Sequence, residues 1–224
     1  MDRIKNHFEQ EAKEYDMIIQ KIIPYYDQMV EALVSVIPFS KESGFSIIDL
    51  GCGTGTISKS VKNEFPDVDI TCVDISGNML DIAKNKIGGN VNCIQVDFNN
   101  FIFPQHYDLI VSSLALHHLE NDSDKLEFYR KIHASLNPGG VFINIDVVLG
   151  SDDFIQELYI KKWREFMEES ISAEEIDLKW LLKYYAEDRP TKLTTHLNML
   201  EKCCFTNIDV IYKYYDLAVF TAKK

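Results

Sequence analysis

The seven residues Asp49-Leu50-Gly51-Cys52-Gly53-Thr54-Gly55 constrain this chain more than any other stretch. They follow the apolar pair Ile47-Ile48, which reads as a buried strand, and precede Ile57 to Phe65, which reads as a short helix. Glycines at alternate positions of a strand-to-helix turn let the backbone take conformations closed to other residues, and they leave room for a ligand to lie against the main chain. Asp74 ends the next apolar run, about twenty residues on, the interval at which a carboxylate on a neighbouring strand accepts hydrogen bonds from a ribose diol. Turn and carboxylate together point to a nucleoside pocket.

The chain around this turn alternates strand and helix signals. Strands are expected at Ser46 to Leu50, Asp69 to Asp74, Val91 to Val96, Tyr107 to Leu116 and Val141 to Leu149. Between them lie a helix from Thr56 to Phe65, a second capped by Ser76 and ended by Gly88-Gly89, and a third marked by Leu126, Tyr129, Ile132 and Leu136. The unbroken apolar run Leu109-Ile110-Val111 implies that both faces of its strand are covered, as in a parallel sheet. Such βαβ alternation requires an open, doubly wound α/β sheet, with ligands at the carboxyl ends of the strands.

Both flanks depart from that alternation. At the N-terminus Phe8, Ala12, Tyr15 and Ile19 share one helical face, and after Pro24 the residues Tyr26, Met29, Val30, Leu33 and Ile37 form another. These are either a packed cap or a lid in which Tyr15, Tyr25 or Tyr26 closes over a ligand. Beyond Gly150 an aromatic-rich insert contains helices at Phe154 to Met167 and Ile176 to Tyr185, the second opened by the capping box Ser172 and Glu175. Its rings are expected mainly to pack against the sheet or a second subunit, a candidate homodimer contact, with some left to line a pocket. A helix marked by Leu193, Leu197 and Leu200 then leads into an antiparallel hairpin, Ile208 to Tyr212 and Leu217 to Thr221. The expectation is one domain: a helical cap or lid (1–45), a βα core (46–149), a helical insert (150–190) and a closing helix and hairpin (191–224).

Composition narrows the partners. The formal net charge of the 224 residues is -12, which disfavours non-specific binding to nucleic acid or anionic membranes. The 5 cysteines are odd in number, include the adjacent pair Cys203-Cys204 and show no C-x-x-C spacing. Neither a disulfide framework nor a metal site is expected, and the cytoplasm is the expected compartment. No apolar run approaches the roughly twenty residues that a membrane helix needs.

Several motifs together carry a resemblance. The glycine turn, Asp74, Asp97, the run Tyr107-Asp108-Leu109-Ile110-Val111-Ser112-Ser113-Leu114-Ala115-Leu116-His117-His118-Leu119 and the turn Leu136-Asn137-Pro138-Gly139-Gly140 resemble the class I S-adenosylmethionine-dependent methyltransferases over about Ser46 to Leu149. The closing hairpin also looks like that family. Its third glycine comes two residues after the second, unlike the G-x-G-x-x-G of dinucleotide dehydrogenases. The resemblance implies a Rossmann-like, mostly parallel seven-stranded sheet with an antiparallel final strand. It implies that Gly51, Cys52, Gly53, Thr54 and Gly55 pass beneath the cofactor, that Asp49 lies near its amino group, and that Asp74 binds the ribose. Ile75 and Met79 would flank the adenine, Asp97 and Phe98 would meet its edge, and Ser113, Leu114 and Ala115 would border the transferred methyl.

Phe8-x-x-x-Ala12-x-x-Tyr15-Asp16 and Thr195-His196-Leu197-x-Met199-Leu200 further resemble a narrower group that includes carboxy-S-adenosylmethionine synthase. In that enzyme the second segment carries an arginine for the extra carboxylate; Met199 takes its place here, which favours ordinary S-adenosylmethionine. The implied activity is methyl transfer to a small-molecule acceptor, driven chiefly by proximity and desolvation, since well-oriented reactants gain on the order of 7 to 11 kcal/mol. His117 and His118 follow the strand that borders the methyl site and are candidate general bases. A cofactor-binding scaffold without transfer activity and a nucleotide-dependent oxidoreductase are the competing readings.

Overall fold

The computed structural model describes residues 14–224; Phe8 and Ala12 lie outside them. Two short helices, α1 (Tyr15–Ile22) and α2 (Tyr26–Ser35), precede the sheet, with the break at Ile23 to Tyr25. The core then runs β1 (Ser46–Leu50), α3 (Thr56–Glu64), β2 (Asp69–Asp74), α4 (Gly77–Ile87), β3 (Val91–Gln95), β4 (Tyr107–Ser113), α5 (Asp122–Ser135) and β5 (Leu136–Leu149). Helix α6 (Asp153–Met167) and a continuous helical run α7 (173–187) form the insert. The chain closes with β6 (Thr191–Lys192), α8 (Leu193–Lys202), β7 (Thr206–Tyr214) and β8 (Leu217–Lys223).

Seven strands lie in the order β3-β2-β1-β4-β5-β8-β7, with β8 antiparallel to both neighbours and the rest running one way. Sequential strands therefore wind outward in opposite directions from β1 and β4, and the crevice between their carboxyl ends is where such a sheet takes a ligand. Alternate residues feed two apolar layers. Ile47, Leu109, Val111, Ile143 and Ile145 face α1 to α4, while Ile48, Leu50, Ile110 and Phe142 face α5 and α8. Burying each such side chain stabilises the fold by roughly 1.5–3 kcal/mol, which is why the strands read as apolar runs.

The larger differences from the sequence expectation have local reasons. β4 stops at Ser113 because Leu114 turns into the left-handed region (φ 52°), and Leu116–His118 form a 3-10 turn. β5 begins at Leu136, and its register against β4 shifts between Tyr107 and Leu109, a bulge that absorbs Pro138, which has no N–H for the ladder. The two-residue β6, paired with Val148 and Leu149, is an eighth strand too short to carry any alternation. Within α7 the residues Ile176–Leu181 widen into π-helical turns.

Candidate active site

The glycine turn is fastened to the end of β2: Gly51 N and Cys52 N both donate to Val73 O, at 2.8 and 3.0 Å. A Cβ on Gly51, whose φ is +70°, would stand 2.3 Å from Ala115 Cβ and 3.4 Å from the Phe98 ring, so only glycine fits between them. Asp74 accepts from Gly53 N through Oδ2 and from Ser76 N through Oδ1, both at 2.9 Å. Carboxylate oxygens accept more than one hydrogen bond each, so the same group can serve the turn and a ligand diol.

A cavity of about 580 Å³, counted to its open mouth, begins on this turn. Gly51, Gly53, Asp74, Ile75, Met79, Asp97, Phe98, Ser113, Leu114 and Ala115 line it, joined by Tyr15, Val96 and His118. The remaining residues expected around the cofactor stand behind that wall. Asp49 is fully buried; Ser58 Oγ donates to its Oδ2 at 2.7 Å, its Oδ1 has no partner, and burial pushes its carboxyl up to about 7. Cys52 is buried with its Sγ on Gly53 O at 3.4 Å. Gly55 serves helix packing, since a Cβ there would stand 2.9 Å from Ala83 Cβ. Thr54 ties the turn to α1: its hydroxyl donates to Asp16 at 2.5 Å and accepts from Lys86 at 2.8 Å, while Lys86 pairs with Asp16 at 2.6 Å.

A second cavity of about 770 Å³ adjoins the first, and the two share Tyr15, Leu114 and His118. Its walls are Ile18, Ile19, Ile22 and Ile23 from the α1 side and Trp163, Trp180 and Tyr184 from the insert. Trp163 Nε1 donates to Ile22 O at 2.6 Å and so fastens α6 to α1. Trp180 lies on the π-helical stretch, and its Nε1 is buried without a hydrogen-bond partner. Of the three tyrosines expected in a lid, only Tyr15 lines these cavities. Tyr25 packs edge-on against Tyr214 and near Phe166, and Tyr26 is buried in the core layer, because the kink at Pro24 turns both away. Of the other insert aromatics, Phe154 and Tyr185 are exposed.

The polar end of the second cavity is built from β4, β5 and α7. His117 Nδ1 stands 2.5 Å from Asp146 Oδ1, and its Nε2 is 3.6 Å from Asp188 Oδ1, which also lies 3.5 Å from His118 Nδ1. Arg189 N donates to His117 O at 2.9 Å, which pins the end of α7 beside the histidines. Burial pulls the His117 imidazole down, but Asp146 and Asp188 outweigh it and hold it above its ordinary value. Asp146 feels the reverse balance: burial pushes its carboxyl up, and His117 holds it below the usual range. Burial also pushes Asp216, in the β7–β8 turn, up to about 7 at the far wall.

Asp146, Asp188 and Asp216 are polar site groups that the sequence reading lacks. Asp146 did leave a signal: with Asn144 it is a polar residue inside the apolar run Val141 to Leu149, where it must find a buried partner. Met199, by contrast, is buried in the layer beneath α8 and lines neither cavity.

A family profile described as a methyltransferase domain matches residues 47–140, the glycine turn through the start of β5. Carboxy-S-adenosyl-L-methionine synthase of Campylobacter lari is 24% identical over 222 residues, covering 95% of this chain and 92% of that protein. Malonyl-[acyl-carrier protein] O-methyltransferase 2 of Ilyobacter polytropus is 32% identical over 145 residues, 63% of this chain and 52% of that protein. Among solved structures, human N-acetylserotonin methyltransferase in complex with S-adenosylmethionine shares the fold, with a TM-score of 0.64 at 18% identity over 98% of this chain and 56% of that one. The matched domain spans the glycine turn and one relative is matched along nearly its whole length, and together they support a class I S-adenosylmethionine-dependent methyltransferase.

Proposed function

We propose that this methyltransferase acts in the space where its two cavities meet, with the donor held on the glycine turn and a small-molecule acceptor held between α1 and the insert. The observation that carries the reading is the shared rim of Tyr15, Leu114 and His118, which puts the carboxyl end of β4 against both cavities. The cofactor is S-adenosylmethionine, which supplies a methyl group activated by a positive sulfur. The residues fit it: the bare main chain at Gly51 admits a close ligand, Asp74 faces the cavity, and the partnerless Asp49 Oδ1 lies behind the turn.

In this reading Gly51 and Gly53 carry the methionine and ribose parts, with Asp49 countering the ammonium charge through the turn. Asp74 holds the ribose hydroxyls, Ile75, Met79, Asp97 and Phe98 frame the adenine, and Ser113, Leu114 and Ala115 border the reacting methyl. Cys52, Thr54 and Gly55 shape and fasten the turn. The apolar walls exclude water, and alignment of the reactants supplies most of the rate. His117 and His118 present ring nitrogens to the acceptor's reacting heteroatom, with Asp146 orienting His117.

Residues 1–45 serve as the lid, 46–149 as the donor-binding core, and 150–190 with 191–224 as the acceptor side. Nucleic acid and membrane are not partners in this reading, and no helix among the described residues is long and apolar enough to cross a membrane. The 5 free cysteines fit the reducing cytoplasm. Exposed Leu178, Leu182 and Tyr185 share one face of α7 and would form the contact in a homodimer.

Calorimetric titration with S-adenosylmethionine and its demethylated product tests the donor site, and incubation with a metabolite pool, followed by mass spectrometry for a gain of one methyl group, tests the transfer. Tight NAD binding with no affinity for either sulfur compound would refute the assignment. Donor binding without turnover across broad pools would favour a scaffold.

A further inference from the structure

We propose that His117, His118 and Asp188 hold a divalent transition-metal ion at the polar end of the second cavity. The inference deepens the methyl-transfer reading, with the two imidazoles serving as ligands in place of bases, and rests on that reading for what the ion acts on, while the ion site itself stands on geometry alone.

The His117 Nε2 and His118 Nδ1 atoms lie 3.6 and 3.5 Å from the same Asp188 Oδ1, and one donor atom from each residue fits within a span of 4.8 Å. Those separations are longer than the roughly 2.7–3.2 Å of a good N–H···O bond. They are close to the ~3.4 Å that separates two donors on one tetrahedral ion with bonds of about 2.0–2.1 Å. Both histidines therefore stand at ligand-like distances from Asp188, within a cluster whose widest spread is 4.8 Å.

His117 is also backed as a ligand is. A metal-bound imidazole characteristically gives its other ring nitrogen to a carboxylate, which fixes the ring and raises its basicity. His117 Nδ1 stands 2.5 Å from Asp146 Oδ1, leaving Nε2 for the cavity. Asp146 is itself fixed, accepting from Val147 N at 3.0 Å and from Asn144 Nδ2 at 3.3 Å. The bond from Arg189 N to His117 O, at 2.9 Å, holds the backbone carrying Asp188 against the histidine turn, so the cluster does not depend on the side chains alone. Three protein ligands leave positions open toward the cavity, the arrangement of a reactive rather than a structural site. Two imidazoles and one carboxylate suit zinc, iron(II) or cobalt(II) over magnesium or calcium.

The test uses untagged protein stripped with a chelator. Zinc is titrated calorimetrically, and cobalt(II) is followed by its visible spectrum, against the parent and the variants His118→Ala, Asp188→Asn and Asp146→Asn. Circular dichroism and an S-adenosylmethionine titration on the same samples report folding and the donor site. The expected result is one ion per chain, loss of the cobalt spectrum in His118→Ala and Asp188→Asn, and binding about 10–100-fold weaker in Asp146→Asn. No binding by the parent, or binding that the folded ligand variants leave unchanged, overturns the proposal. Donor binding without metal binding removes the metal site alone. Metal binding without donor binding removes the methyl-transfer reading and leaves the metal site standing.

Discussion

Replacing Asp49 by asparagine is expected to stabilise the cofactor-free protein at alkaline pH while weakening its hold on S-adenosylmethionine. Asp49 is fully buried with one oxygen on Ser58 and the other without a partner, and burial raises its carboxyl from an ordinary 3.8 to about 7. Below the ordinary value, folded and unfolded chains are both protonated and the group is neutral to stability. As pH rises, the unfolded chain gives up its proton while the folded one keeps it, so stability is lost progressively until the folded carboxyl ionises near 7. At about 1.4 kcal/mol per pH unit the full loss is about 4 kcal/mol. Asparagine avoids that loss but leaves an unpaired amide, which costs about 1–3 kcal/mol at every pH. The stability of Asp49→Asn relative to the parent is therefore expected to climb by about 2–3 kcal/mol between about pH 5 and about pH 8. Urea midpoints across that range measure it. In parallel, calorimetry at the upper pH is expected to show donor affinity reduced by about tenfold or more, the loss of a charge-assisted contact. A stability difference that stays flat across the range would refute the reasoning.

Gly51→Ala places a Cβ 2.3 Å from Ala115 Cβ at a positive φ, so thermal unfolding is expected to show a lower midpoint and no upward shift on adding S-adenosylmethionine. His196 is buried, accepts or donates at Nδ1 to Tyr129 at 2.7 Å, and is pulled by burial from an ordinary 6.5 down to about 4. Its folded value is depressed, so stability is expected to fall as pH drops from 6.5 through about 4, by up to roughly 3 kcal/mol; acid unfolding of His196→Gln should lack that component. Trp180→Phe keeps a ring in the wall of the second cavity and removes a buried Nε1 that has no hydrogen-bond partner, so the thermal midpoint is expected to hold or rise while calorimetric donor affinity stays unchanged.

The cavity on the glycine turn was legible because its signals are local. Glycines, the Ser76 cap, whose hydroxyl accepts from Met79 N at 3.2 Å, and acidic strand ends all sit within a few residues of what they shape. The polar end of the second cavity was not, because its groups converge from distant segments. Asp146 on β5, Asp188 after α7 and Asp216 in the last turn meet only once the sheet order β4-β5-β8 exists. Tyr15, Tyr25 and Tyr26 were indistinguishable by residue type, and the turn at Pro24 decided that only the first faces the cavities. The π-helical stretch of α7 left no mark in the apolar pattern either, since a locally widened helix keeps nearly the same buried positions.

Leu114, held at φ 52° with its N–H on Ile145 O at 2.8 Å, is rigidly placed where the two cavities touch, and with Tyr15 and His118 it frames a window between them. A reaction confined to a window is selective in its chemical step as well as in binding. A molecule whose body fills the acceptor cavity but whose nucleophile sits on a broad ring face would bind and stall. One that extends the same atom on a slender edge would pass it through the frame and be methylated. If the acceptor occupies the second cavity as proposed, its close relatives are expected to inhibit, and the ratio of turnover to affinity across a series of acceptors would measure the width of that opening.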